Sequence, residues 1–264
     1  MIHSFKWLVY YLKKPFHSFY HKKIKRRASK YAKNNDSYKK ALNEISEYTG
    51  KDVNVIESIS KHLLEDINAQ DYDKLSEKEL TEFYQKNRYY LYELPLWNAG
   101  CGRSYAVSYH LAPCFKKKGY KKILDFGGGT GDICLYLANQ GFNMYYCDVN
   151  ESISNFAKWR ADKQKLNIQF IHNDEIKADI FDCIISFDVF EHFKNLPKKI
   201  RFLTAALRVG GALIFNIELS GDGLHLSENK KYKNIKVLDE MLKKHGLIFD
   251  KKFKDIYFYV KTKG

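Results

Sequence analysis

Residues 123–132 read Ile-Leu-Asp-Phe-Gly-Gly-Gly-Thr-Gly-Asp, an apolar run that empties into four glycines within five positions. Lacking a Cβ, glycine adopts positive φ readily and lets backbone come close to a ligand. A strand that ends in such a turn and continues as a helix belongs to a parallel α/β sheet, whose carboxyl edge is the edge that binds nucleotides. Two nucleotide motifs fail here. The dinucleotide pattern G-x-G-x-x-G breaks because Asp132 stands where its third glycine is required, and no Gly-Lys-Ser/Thr follows to make a P-loop.

From residue 120 onward strand and helix patterns alternate. Residues 122–126, 143–147, 168–171, 181–187 and 212–217 read as strands, with helices at 132–140, 152–164 and 197–207. This order predicts a parallel sheet covered on both faces. A helix at 235–245 then precedes aromatic strands at 247–253 and 256–261, too close for a crossover and therefore predicted antiparallel. The expected fold class is a doubly wound α/β sheet of seven mostly parallel strands, Rossmann-like, with an all-helical cap on its N-terminal side.

The cap reads as helix after helix. Asp36 or Ser37 can cap a first helix ending near Gly50; Val55, Ile56, Ile59, Leu63, Leu64 and Ile67 mark a second. Ser76 with Glu79 forms a capping box for a third, running toward Tyr90. Pro95 is expected to close this region and residues 97–102 to turn before a helix at 104–115. The division that follows is a basic arm at 1–35, a helical cap or lid at 36–118 and a core at 119–264.

The formal charge is +14. Ten basic residues and no acid fall in residues 1–35, and eleven Lys against four acids fall in 229–264, so the middle is slightly acidic. In the arm, Ile2, Phe5, Val9, Leu12, Phe16 and Phe19 share one helical face, interrupted at Pro15. Such a segment suits an anionic membrane surface; packing on the protein body, or contact with nucleic acid, are the other readings. Its longest apolar run, Trp7 to Leu12, is too short to span a bilayer. The five Cys form no CxxC pair and have no neighbouring His at zinc spacing, which predicts reduced thiols, no metal and a cytoplasmic protein, soluble or peripheral at a membrane.

The pattern D-x-G-x-G-x-G at residues 125–131 resembles the first motif of the class I S-adenosylmethionine-dependent methyltransferases, and the resemblance runs along nearly the whole of the core. Asp148, after Tyr145-Tyr146-Cys147, matches the acid that in this family holds the ribose hydroxyls, which places Val149 against the adenine. It could also cap the helix that follows, and the two roles do not exclude each other. His172-Asn173-Asp174 is similar to the segment that meets the adenine amine, with Asp174 the usual choice and Asn173 the second. Residues 181–192, ending Phe187-Asp188-Val189-Phe190-Glu191-His192, resemble the fourth strand and its D-x-x-E-H ending, and Arg208-Val209-Gly210-Gly211-Ala212-Leu213 resembles the turn into the fifth. The implied cofactor is S-adenosylmethionine, with Asp125, Gly127, Gly128, Gly129, Gly131, Asp148, Val149, Asn173, Asp174 and Phe187 around it. Asp125 or the backbone near Gly127 would meet the ammonium end.

Methyl transfer is an in-line displacement, so positioning supplies most of the acceleration. A base is needed only if the acceptor must lose a proton; His192 is the first candidate and His225 the second, an acceptor-side residue as well. No [DNS]-P-P-[YFW] turn follows the fourth strand and Pro113-Cys114 precedes the glycine loop, so nucleic-acid bases are unlikely acceptors. A small, lipid-like or glycan-precursor molecule remains. The aromatic stretch 89–98 could line its pocket through Tyr92, Trp97 and Asn98, or form a packing seam. The alternative to an enzyme is a noncatalytic cofactor-binding protein whose helical and basic regions hold a partner or membrane.

Overall fold

The computed structural model describes residues 36–67, 71–101, 103–217 and 225–262. The basic arm at 1–35 lies outside the described residues, so its amphipathic pattern stays a reading of sequence. Among the described residues five α-helices come first: α1 (Asp36–Thr49), α2 (Val53–Ile67), α3 (Glu77–Lys86), α4 (Tyr90–Cys101) and α5 (Arg103–Lys118). The capping box forms as expected: Glu79 N–H donates to Ser76 Oγ at 3.2 Å, and Ser76 N–H to Glu79 Oε2 at 2.8 Å.

The expected turn within 97–102 is a correction. Helix α4 runs through Pro95 and on to Cys101. An interior proline costs about 3 kcal/mol. The flanking Leu91 and Leu96 are 7% and 5% exposed, in a cluster with Ala41, Leu42 and Ile45 of α1, Ile56 of α2 and a phenylalanine from the core, Phe156. At roughly 1.5–3 kcal/mol per buried Leu, tertiary burial outweighs the local penalty.

The core alternates β1 (Lys122–Phe126), α6 (Asp132–Asn139), β2 (Asn143–Cys147), α7 (Glu151–Lys163), β3 (Ile168–Phe170), β4 (Phe181–Ser186), α8 (Leu196–Ala206), β5 (Leu207–Phe215), α9 (Ile235–Lys244), β6 (Leu247–Phe253) and β7 (Ile256–Lys261). The sheet order is β3-β2-β1-β4-β5-β7-β6. Strands β1 to β5 pair in parallel and β7 is antiparallel to both its neighbours, as the short hairpin required. Strand β4 stops at Ser186, one residue short of expectation, because Asp188 turns at φ +56°. Strand β5 starts at Leu207 rather than 212 and follows α8 directly; Gly210, at φ +79°, lies in its exposed first half.

Alternation along the strands divides the core. Leu124, Ile184 and Leu213 face α8 and α9, whose Ile200, Leu203, Leu238 and Leu242 are fully buried against them. Ile123, Ile185 and Ile214 face the other way, onto Leu111 and Phe115 of α5 and Cys134 and Leu137 of α6. The carboxyl ends of β1, β2 and β4 therefore open between the two layers, where the glycine loop begins.

Candidate active site

Gly127 turns the chain out of β1 at φ +72°, and a Cβ there would stand 2.4 Å from Val189 Cγ2. At Gly128 a Cβ would meet the Tyr146 ring at 2.6 Å and Asp125 Cγ at 3.2 Å. Neither position can carry a side chain without moving its neighbour. The loop is tied to β2: Gly127 N–H donates to Cys147 O at 2.8 Å, Gly129 N–H to Asp148 Oδ2 at 2.9 Å, and Tyr146 Oη to Gly129 O at 2.5 Å.

Asp148 sits half-buried at the end of β2. Burial pushes its carboxyl up from the ordinary range, and the N–H groups of Asn150, Gly129 and Val149 draw it back. Oδ2 accepts from Gly129 N–H and Oδ1 from Asn150 N–H, both at 2.9 Å. The helix cap is not Asp148 but Asn150, whose Oδ1 accepts from Ile153 N–H at 3.1 Å. That frees Asp148 for a ligand. Asp125 differs: it is 2% exposed, its Oδ2 has no hydrogen-bond partner, and burial, then the charge of Asp148, push its carboxyl up to about 7. Its carboxyl is enclosed behind Gly128.

Asp132, the residue that broke the dinucleotide pattern, has a partner that sequence did not reveal. Arg160 Nη1 donates to Asp132 Oδ1 at 2.8 Å and to Thr130 O at 2.7 Å, while Arg160 Nε lies 3.0 Å from Glu44 Oε2. Asn98 Nδ2 donates to Asp132 Oδ2 at 2.9 Å and to Thr130 Oγ1 at 3.3 Å. Asn98, expected near an acceptor, is thus on the glycine loop. Glu44 of α1, Asn98 of α4 and Arg160 of α7 converge on it.

On the side expected for adenine, Val149 is 37% exposed, and Asn173 and Asp174 are both exposed in the turn Asn173–Glu175. Cys147 Sγ donates to Asn173 Oδ1 at 3.6 Å, which brings Asn173 to the end of β2. Phe187 is half-buried against the layer that holds Ile185.

Beyond β4 the turn Phe190–His192 carries Glu191, 1% exposed, and His192. Tyr84 Oη lies 2.9 Å from His192 Nδ1, and the His225 ring centroid is 5.5 Å from that of His192. Tyr84 stacks on Tyr90 at 6.2 Å, and burial drives both phenols far above their ordinary range. Sequence reasoning did not single out Tyr84, and Tyr90 fell within the stretch 89–98 offered for the pocket without being chosen. Tyr92, chosen instead, packs into the α1, α2 and α4 seam, and Trp97 is half-buried on α4. A second fixing point holds the cap here: Asn150 Nδ2 donates to the carbonyls of Tyr84 and Asn87, both at 2.7 Å, and Ser227 N–H to Asp73 Oδ1 at 2.8 Å.

The strand order, the glycine loop and an acid at the end of β2 define a class I methyltransferase core with its S-adenosylmethionine site at the carboxyl edge. The family model described as a methyltransferase domain matches residues 102–253, and the chain belongs to that family. A Methanocaldococcus jannaschii protein with the provisional name of methyltransferase is 32% identical over 145 residues, 50% of this chain and 52% of that one. A ubiquinone biosynthesis O-methyltransferase of Coxiella burnetii is 34% identical over 100 residues, 36% of this chain and 43% of the relative. The chain thus spans about half, or less, of these curated relatives. Among solved structures, magnesium protoporphyrin IX methyltransferase from Synechocystis with bound S-adenosylmethionine aligns at TM-score 0.53 and 14% identity, over 71% of this chain and 98% of that one, a likeness of fold.

Proposed function

We propose that the protein transfers the methyl group of S-adenosylmethionine to a hydroxyl of a small or lipid-like molecule, held between helix α3 and the ends of β4 and β5. The observation that carries this reading is the Tyr84–His192 contact, 2.9 Å long, with His225 alongside. Ionisable groups stand there under a cap that reaches over from residues far away in sequence. Attack on the methyl carbon requires an electron-rich acceptor atom and little else from the protein beyond alignment and exclusion of water. The O-methyltransferase relatives support oxygen as that atom.

In this reading the ribose hydroxyls bind Asp148, the adenine lies along Val149 and Asn173, and the amino-acid end of the cofactor meets the loop backbone from Gly127 to Gly131. Incubating the full chain with methyl-labelled cofactor and fractionated metabolite extract tests it. Label is expected in a small hydroxylated product. Cofactor binding in calorimetry with no labelled product from any fraction would favour a noncatalytic binder instead.

A further inference from the structure

Of the five positions from Gly127 to Gly131 only one, Thr130, carries a side chain. Its neighbours Gly129 and Gly131 sit at φ +52° and +76°, and a glycine fixed in one conformation gives up more freedom than any other residue. A turn of this composition does not set its own shape, so its restraint has to come from outside.

Thr130 is where that restraint takes hold. It is 1% exposed, and its carbonyl and hydroxyl are both bound. The carbonyl accepts from Arg160 Nη1 at 2.7 Å; Oγ1 accepts from Asn98 Nδ2 at 3.3 Å and donates to Asp132 Oδ2 at 2.5 Å. The same two donors fix Asp132, Asn98 Nδ2 at 2.9 Å from Oδ2 and Arg160 Nη1 at 2.8 Å from Oδ1. Arg160 is steered in turn by Glu44, 9% exposed, whose Oε2 lies 3.0 Å from its Nε. Two residues of the cap thus hold the glycine loop, Asn98 directly and Glu44 through Arg160. Both precede residue 102, where the match to the methyltransferase domain begins, so the matched stretch does not contain them.

We infer that Asn98 and Glu44 are positioning residues for S-adenosylmethionine: with Arg160 they hold residues 127–131 in the shape that receives the cofactor, so the cofactor site is complete only with helices α1 and α4 seated. The inference rests on the proposed contact between the loop backbone and the amino-acid end of the cofactor. All three residues act through the loop. A loop released from them samples many shapes, and apparent affinity falls by the fraction of time spent in the one that binds. Bonds from the guanidinium are charge-assisted and the stronger restraint, so Arg160 outranks Asn98.

S-adenosylhomocysteine is titrated into the full chain in calorimetry, and amide exchange of residues 127–132 is followed by mass spectrometry with and without it. Asn98→Ala and Glu44→Gln are each expected to weaken binding roughly fivefold, the worth of one lost hydrogen bond, and Arg160→Lys about tenfold or more. In the free variants the loop amides exchange faster than in wild type, and at saturation the difference closes. Asn98 is half-buried, so Asn98→Ala keeps the test valid if an Arg160 variant fails to fold. Leu80→Ala, which opens the buried contact of α3 with Tyr72 and Leu226, serves as control: its thermal midpoint falls while affinity stays that of wild type. Wild-type affinity and loop exchange in both Asn98→Ala and Glu44→Gln overturn the inference, since a merely structural cluster moves the midpoint alone. Absence of S-adenosylhomocysteine binding by wild type overturns instead the cofactor reading beneath it.

Discussion

The carboxylate of Asp148 holds the N–H of Gly129 at 2.9 Å, so the acid at the end of β2 shapes the glycine loop in addition to the ligand role proposed for it. Asp148→Ala removes both roles. Affinity for S-adenosylhomocysteine in calorimetry is expected to fall by about 1.5–3 kcal/mol, the worth of hydrogen bonds to a charged group. Asp148→Asn keeps one acceptor oxygen and is expected to lose less; equal affinity in wild type and Asp148→Ala would remove the residue from the site.

Gly127→Ala combines positive φ with a methyl group 2.4 Å from Val189. The expected cost is roughly 1–3 kcal/mol in urea unfolding, together with weakened cofactor binding. Adding Val189→Ala relieves the contact but not the backbone, so the double variant recovers only in part. Full recovery would show that φ at this position is immaterial.

Arg160 joins Asp132 and Glu44 with its side chain only 12% exposed. Arg160→Met leaves two carboxylates facing each other without their cation, and about 3–5 kcal/mol of stability is expected to be lost. The thermal midpoint of wild type and variant measures it. An unchanged midpoint would mean that solvent already screens the cluster.

Asp125 gives a pH signature. Its carboxyl is raised to about 7 by burial, against 3.8 for the free group, so the native state holds a proton that the unfolded chain releases. The native state thus binds more protons between those two values, and stability falls as pH rises through that window. Asp125→Asn cannot ionise. Its stability relative to wild type is expected to rise between pH 4 and pH 7 by on the order of 3 kcal/mol, and urea unfolding at the two ends of the window would expose a flat difference if the carboxyl were ordinary.

Tyr84→Phe removes the hydroxyl on His192 Nδ1 and leaves the ring stack with Tyr90. Turnover is expected to drop tenfold or more, as when the outer partner of a working histidine is lost. Cofactor affinity is expected to stay the same, and an equal loss in both would place Tyr84 in the cofactor site.

What sequence revealed was what neighbouring residues decide. Alternation set the strands, the hairpin spacing set the direction of β7, and the motif from Asp125 to Gly131 marked the ligand edge. Helix α4 escaped because Pro95 argues locally for a break while Leu91 and Leu96 are held by α1 and α2. Asp132 could be read only as a missing glycine, since Arg160 stands 28 positions away. The proposed acceptor side was the least legible. Tyr84 meets His192 across 108 positions, and His225 stands beside that pair from beyond β5.

Helix α3 is anchored to the core through main chain near its ends and through Leu80, buried with Tyr72 and Leu226. Asn150 grips the carbonyls of Tyr84 and Asn87, and Lys194 Nζ reaches the Asp73 carbonyl at 2.6 Å. Bonds to carbonyls do not depend on which side chains those residues carry, whereas the Leu80 contact does. The exposed positions Lys78, Thr81 and Gln85 of α3 can therefore be changed with the cap still seated, which makes the outer face of this helix an interchangeable part of the molecule.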